Sequence, residues 1–274
     1  MKIHEYAVIL AYTLVMGCAS NAARQELIRG VQPLSKDVFT SISEDKFQRE
    51  QFQASDATDV PYRLLAPSHL KAGITYPLVL QLHGSGGIGT DNVSQLDRLA
   101  KSWAMPEVRE RYQAFVLIPQ FRIRSANYGP AAPDQKSEPS KALNSAMELV
   151  RDFSSRHQVD QSRMYVVGFS MGGSAAWLSP MLEPSMFAAI VPISGIAPDD
   201  SLARSYRDLP ILVIHGNADS ENPITSDRRF YESIKGAGGK KIVLREYEGL
   251  DHQPPGDIYP GFWWRDWLFG QARR

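Results

Sequence analysis

Apolar residues in this chain gather in short runs that stop at glycine, proline or histidine, and between those runs they recur at helical spacing. Phe47 to Ala54 and Val60 to Pro67 alternate partially and read as two extended segments. Tyr76 to Leu82 (YPLVLQL) is an apolar strand closed by His83 and Gly84. From there the two periodicities take turns. Helical patterns are predicted over Ser94–Met105, Leu143–His157, Met171–Leu182, Ser226–Lys235 and Gly261–Ala272. Strands are predicted over Ala114–Pro119, Met164–Val167, Ala188–Ile193, Ile211–Ile214 and Ile242–Tyr247. Strands alternating with helices specify an α/β architecture: a mostly parallel sheet of about eight strands with helices on both faces, led by two antiparallel-type strands. Too few residues separate Ile193 from Ile211 to build a sizeable cap domain, and the long loop Phe121–Lys141 follows a strand end as a candidate wall of a site.

The 274 residues, 43% of them hydrophobic, are enough for one large core. Thirty basic and 30 acidic residues cancel without a basic block, so the electrostatic footprint of a nucleic-acid binder is missing. The first residues do alter the picture. Lys2 precedes the apolar run Ala7–Met16, which is short for a bilayer span and has the order of an export signal. Val15-Met16-Gly17-Cys18 resembles the lipobox of bacterial lipoproteins, in which the cysteine is lipidated and becomes the new N-terminus. The rival is ordinary cleavage after Ala22 or Ala23. Cys18 is the one cysteine, so it forms no internal disulfide. The expected organisation is a signal at 1–17, a tether or lead-in at 18–45 and a catalytic domain at 46–274. Ala19 after the cysteine points by resemblance to the outer membrane or cell surface, with periplasm or secretion as the other destinations; the membrane is met only through that lipid.

The chemistry starts at Gly168-Phe169-Ser170-Met171-Gly172, a G-x-S-x-G sequence between a strand-like MYVV and a helix-like GGSAAWL. That context is what a nucleophile elbow needs, because the glycines remove side chains where the turn packs tightest and the serine oxygen projects from the bend. A serine hydroxyl needs a base. Of six histidines, His4 lies in the signal, His69 in an early turn and His157 at a helix end, while His83 and His215 close strands as turn-shaping His-Gly pairs. His252 follows the last strand and precedes the terminal helix, where the serine–acid–histidine chain order puts the base. Asp219, in the turn after Ile211–Ile214, is the expected acid, with Asp199, Asp200, Asp251 and Asp257 as other carboxylates to weigh. The backbone N–H groups of Met171 and Ser85, with Gly84 or Gly86 as alternatives to Ser85, are the expected donors to a developing oxyanion. Gln120, Tyr128 and Phe169 are the candidate substrate-binding residues. No H-E-x-x-H, cysteine pair, Walker loop or strand-linked G-x-G-x-x-G is present, so no metal is expected.

From Val60 onward the chain resembles the secreted esterase branch of the α/β-hydrolases, which includes polyhydroxybutyrate-depolymerase-like, feruloyl-esterase-like and predicted-peptidase proteins. The likeness rests on PLVLQLHGSGGIGTDN, VLIPQ, QSRMYVVGFSMGGSAAWL, FAAIVPISG, ILVIHGNAD, GLDHQ and DWLFGQAR. It implies the α/β-hydrolase fold and hydrolysis of a small-molecule or polymer-borne carboxylic ester by Ser170, His252 and Asp219 without a cofactor. Tyr128 stands where many relatives carry tryptophan. A peptidase would use the same three residues, and a non-catalytic binding module would ordinarily lack one of them.

Overall fold

The computed structural model describes residues 22–35 and 37–273. In chain order the strands are β1 (Arg24–Ile28), β2 (Gln48–Gln53), β3 (Asp59–Leu65), β4 (Tyr76–Leu82), β5 (Phe115–Pro119), the short β6 (Ala126–Asn127) and β7 (Glu138–Pro139), β8 (Val159–Phe169), β9 (Ala189–Ile193), β10 (Ile211–Gly216) and β11 (Ile242–Tyr247). The helices are α1 (Arg98–Ser102), α2 (Pro106–Arg111), α3 (Lys141–Arg156), α4 (Met171–Leu182), α5 (Ala203–Tyr206), α6 (Thr225–Gly236) and α7 (Phe262–Phe269).

Nine strands form one sheet in the order β1-β11-β10-β9-β8-β4-β5-β3-β2, and β6 and β7 pair separately inside the long loop. From β1 to β5 every pairing is parallel; β3 joins β5 antiparallel and β2 joins β3 antiparallel. Strands covered on both faces need both sets of alternating side chains to be apolar. Accordingly Leu78, Leu80 and Val166 enter a core shared with Leu143 and Phe153 of α3, Trp177 of α4 and Phe230 of α6. Val79, Tyr165 and Val167 enter the opposite core with Leu99, Trp103 and, on α7, Trp264 and Leu268. This is the α/β-hydrolase architecture, with only a 3-10 turn and the short α5 between β9 and β10.

The expected lead-in at 18–45 is corrected by the sheet. Arg24–Ile28 pairs with β11 from Arg24↔Val243 to Ile28↔Tyr247, and Leu34, Phe39 and Ile42 are buried in the core. The chain folds well before residue 46. An edge strand held by ladder bonds and ion pairs, such as Glu26 with Arg245 at 2.9 Å, needs no apolar alternation, which is why RQELI does not read as a strand. The single expected helix over 94–105 is also corrected: only α1 is helical within that range, and a separate helix, α2, starts beyond it with Pro106 in its first turn. Cys18 lies outside the described residues. Among the described residues no helix is long and apolar enough to cross a membrane.

Candidate active site

Four of five consecutive strands, β4, β8, β10 and β11, end in loops on one side of the sheet, and those loops carry the residues expected to act. Ser170 joins β8 to α4 with φ 60° and ψ −121°, a conformation that non-glycine residues adopt only when the surroundings impose it. The surroundings are backbone. A Cβ on Gly168 would lie 2.2 Å from the Gly172 carbonyl oxygen, and one on Gly172 would lie 2.2 Å from that of Leu82. The elbow and the end of β4 therefore touch main chain to main chain, and the Ser170 N–H is tied to the Ile193 carbonyl at 2.9 Å.

Ser170 Oγ lies 2.8 Å from His252 Nε2, and His252 Nδ1 lies 2.8 Å from Asp219 Oδ2. With Nδ1–H donating to the carboxylate, the Nε2 lone pair faces the serine hydroxyl. Asp219 Oδ1 accepts the backbone N–H groups of Glu221 at 3.0 Å and Asn222 at 2.8 Å. Burial opposes ionisation of Asp219, but hydrogen bonds from His215 and His252 outweigh it and hold the carboxyl well below the usual range. The other carboxylates are engaged elsewhere. Asp199 pairs with Lys136 at 2.7 Å, Asp200 with Arg229 at 3.0 Å, Asp251 binds Ser220 at 2.9 Å and Asp257 accepts from Tyr247 Oη at 2.8 Å. The exposed Glu221 carboxylate comes within 3.7 Å of His252 Nε2 at the rim.

Gly84 sits against Ser170: a Cβ there would be 3.5 Å from Ser170 Cβ. The following turn, Ser85–Gly87, spends its own donors inside itself, Gly87 N–H on the Gly84 carbonyl at 3.0 Å and Ile88 N–H on that of Ser85 at 3.2 Å. Among the described residues the N–H groups of Ser85 and Met171 have no acceptor. His83 anchors this loop. Its Nδ1–H donates to the Gly84 carbonyl at 2.7 Å and its Nε2 accepts from Phe121 N–H at 3.3 Å. Burial pushes it down to about 4, against the Gly84 contact, so it stays neutral and keeps both bonds.

Gln120, expected among the substrate-binding residues, has its amide engaged within the protein. It is buried, donates to the Gly87 carbonyl at 3.2 Å and Asp91 Oδ1 at 2.8 Å, and accepts Asn92 N–H at 2.6 Å, so it braces the donor loop from below. Tyr128 lies under the Arg124 guanidinium at 4.4 Å and packs on the core; no hydrogen bond or ring contact joins it to Ser170 or His252 among the described residues. Phe169 does reach the site, its ring centroid 5.0 Å from that of His252. A cavity of about 320 Å³ opens between Gly84, Gly87, Asp97, Arg98, Phe169 and Pro254. Burial pushes the Asp97 carboxyl up to about 6 despite its bond from Ala100 N–H at 2.8 Å. Asp97 was not singled out in the sequence, where it falls inside the helix expected over 94–105; in the fold it caps α1.

His215, expected only to shape a turn, lies directly behind Asp219. It is fully buried, with Nδ1 2.7 Å from Asp227 Oδ2, Nε2 2.8 Å from the Asn222 carbonyl oxygen and Asp219 Oδ2 3.3 Å from Nε2. Asp227 was not singled out in the sequence, where it reads as an ordinary acid in a first helical turn. Among the described residues no group of three or more His, Cys, Asp or Glu side chains is placed to hold a metal ion.

The Phospholipase/Carboxylesterase family profile matches residues 124–258, a span that includes Ser170, Asp219 and His252. A "Probable carboxylesterase" of Oryza sativa subsp. japonica is 30% identical over 166 residues, covering 53% of this chain and 68% of that one. The chain belongs to the esterase branch of the α/β-hydrolase superfamily. Cutinase est1 of Thermobifida alba is 34% identical to this hydrolase over 128 residues, 44% of the chain and 41% of the cutinase. The crystal structure of a thermostable esterase superposes with a TM-score of 0.73 at 32% identity, covering 84% of this α/β-hydrolase and 64% of that chain. The chain spans about two fifths of the length of the first curated relatives it matches.

Proposed function

We propose that the protein is a serine esterase, and the observation that carries this reading is the hydrogen-bonded series from Ser170 Oγ through His252 to Asp219, at 2.8 Å for each link. His252 takes the serine proton as Oγ attacks the ester carbonyl, and Asp219 holds the imidazole in the required tautomer and balances the imidazolium that forms. The N–H groups of Ser85 and Met171 receive the oxyanion. Collapse of the tetrahedral species expels the alcohol with the proton from His252. The acyl-enzyme is then hydrolysed by a water activated by the same histidine.

The short link between β9 and β10 leaves the entrance uncapped, which supports water-soluble short-chain or aromatic esters, and the cutinase likeness adds polyesters to the substrates worth assaying. Export with lipidation at Cys18 is part of the same proposal; a mature N-terminus at Ala23 or beyond, by mass spectrometry, would overturn it. The esterase reading is tested with Ser170→Ala and a fluorophosphonate probe, on p-nitrophenyl, feruloyl, acetyl-xylan and polyester substrates beside p-nitroanilides. A folded variant that neither turns over esters nor takes up the probe is expected. Labelling of another serine, or faster cleavage of anilides than of matched esters, would refute it.

A further inference from the structure

We propose that His215 is a buried imidazolium that acts as a positioning residue for the reaction, setting through Asp219 the proton affinity of His252. This rests on the esterase reading and adds to it a charge of opposite sign behind the acid.

The hydrogen-bond partners require that charge. Nε2 faces the Asn222 carbonyl, which only accepts, and Asp219 Oδ2, so Nε2 carries a proton. Nδ1 faces Asp227 Oδ2 at 2.7 Å, and the other oxygen of Asp227 already accepts the Trp177 indole N–H at 2.8 Å, so Asp227 has the environment of a carboxylate and Nδ1 is a donor as well. Two carboxylates, Asp219 and Asp227, are buried around one imidazole; an unpaired buried carboxylate is costly, and a single cation between them satisfies both. Burial works against this cation, yet its bonds to Asp219 and Asp227 raise His215 to about 9. Other charges face the same spot. Glu246 is the register partner of His215 on β11 and is paired with Arg228 of α6, and beyond Asp219 lie His252 and the rim carboxylate Glu221.

The consequence runs through Asp219 Oδ2, the one oxygen that meets both imidazoles. A positive charge on its far side draws electron density from the contact with His252 and disfavours a second imidazolium two hydrogen bonds away. Asn222 supports the arrangement, since its carbonyl accepts from His215, its N–H donates to Asp219 Oδ1 at 2.8 Å and its side-chain amide donates to the Ser194 carbonyl at 2.8 Å.

Two variants separate charge from shape. His215→Gln keeps an N–H toward Asn222 but carries no charge. Asp227→Asn keeps the packing and removes the group that holds the Nδ1 proton. The acid limb of the kcat/KM profile for a p-nitrophenyl ester is expected to move to higher pH by about one unit in His215→Gln, the scale of a charge a few ångströms away through a partly screened interior. A smaller shift of the same sign is expected in Asp227→Asn, where a positive and a negative charge vanish together. Histidine side-chain ¹⁵N spectra of the wild type at pH 7.5 are expected to show one doubly protonated imidazole that His215→Gln removes and Asp227→Asn converts to a neutral ring. A neutral His215 in the wild type overturns the proposal. So does a uniform loss of turnover in folded variants with the acid limb unmoved, since a purely structural role would do that. If Ser170→Ala keeps its turnover, the esterase reading has failed instead, and the ¹⁵N measurement still decides the charge on His215.

Discussion

Gly172→Ala probes the main-chain contact between the elbow and the donor loop. A Cβ there would meet the Leu82 carbonyl oxygen at 2.2 Å, its carbon at 2.6 Å and the His83 carbonyl oxygen at 2.8 Å. All are backbone atoms at a buried strand end, so no rotamer change relieves them, and reaching ordinary contact needs a separation of about 1 Å between β4 and α4. Two effects oppose each other. Alanine gains about 1 kcal/mol over glycine inside a helix, while overpacking of this kind costs about 3 kcal/mol, so the overlap wins by about 2 kcal/mol. For a chain of this size that is a fall in Tm of about 4–8 °C. The same separation moves Met171 N–H away from Ser85 N–H, so turnover is expected to drop by about 100-fold, the order seen when an oxyanion donor is lost. Thermal unfolding followed by circular dichroism, with p-nitrophenyl ester kinetics on the same samples, measures both. Gly84→Ala is the control, because its Cβ meets Ser170 Cβ at 3.5 Å and the Phe169 carbonyl at 3.6 Å, which is ordinary contact. A Gly172→Ala protein with wild-type Tm and turnover would refute the reasoning.

Three further outcomes are expected. Asp219→Asn should lower kcat by about 10³- to 10⁴-fold while Asp200→Asn, whose carboxylate pairs with Arg229 at 3.0 Å, leaves it nearly unchanged; the reverse ranking in steady-state kinetics would move the acid to the earlier loop. Arg265→Lys should cost about 2–4 kcal/mol in urea unfolding, because the buried guanidinium holds the carbonyls of Ile258 and Pro260 and Ser102 Oγ between the rings of Trp103 at 4.6 Å and Trp264 at 4.3 Å; a loss below about 0.5 kcal/mol would show the fork is dispensable. Asp97→Asn keeps the helix cap and removes a carboxyl raised from 3.8 to about 6, so wild-type stability relative to the variant should be greatest below 3.8 and decline as pH rises to about 6; a stability difference independent of pH across that window would contradict the burial argument.

What the sequence disclosed is what backbone geometry forces into it. Gly168 and Gly172 are readable because no side chain fits against the neighbouring main chain, and the position of His252 is readable because the chain order after the elbow leaves few places for a base. The parallel strands announce themselves through apolar residues on both faces. Polar residues that become buried by tertiary packing leave no such trace. Gln120 ends an apolar strand just as a site residue would, and only the folded position of Gly87, Asp91 and Asn92 reveals that its amide is already used. Asp227 lies twelve positions from His215 on a different element, so nothing local ties the two. β1 escaped for the opposite reason: its stability comes from β11 and from ion pairs, and its own residues need not be apolar.

That strand also fixes which way the molecule faces. Because β1 runs parallel to β11 and starts at the level of Val243, the polypeptide enters the sheet from the side opposite the loops of Ser170, Asp219 and His252. A handle attached at residue 22 would hold the protein by its back, with the loops of Ser170, Asp219 and His252 turned outward toward whatever lies beyond the supporting surface. Immobilised through that end, the protein would keep those loops free, whereas a handle in the loop of His252 would press them against its own support.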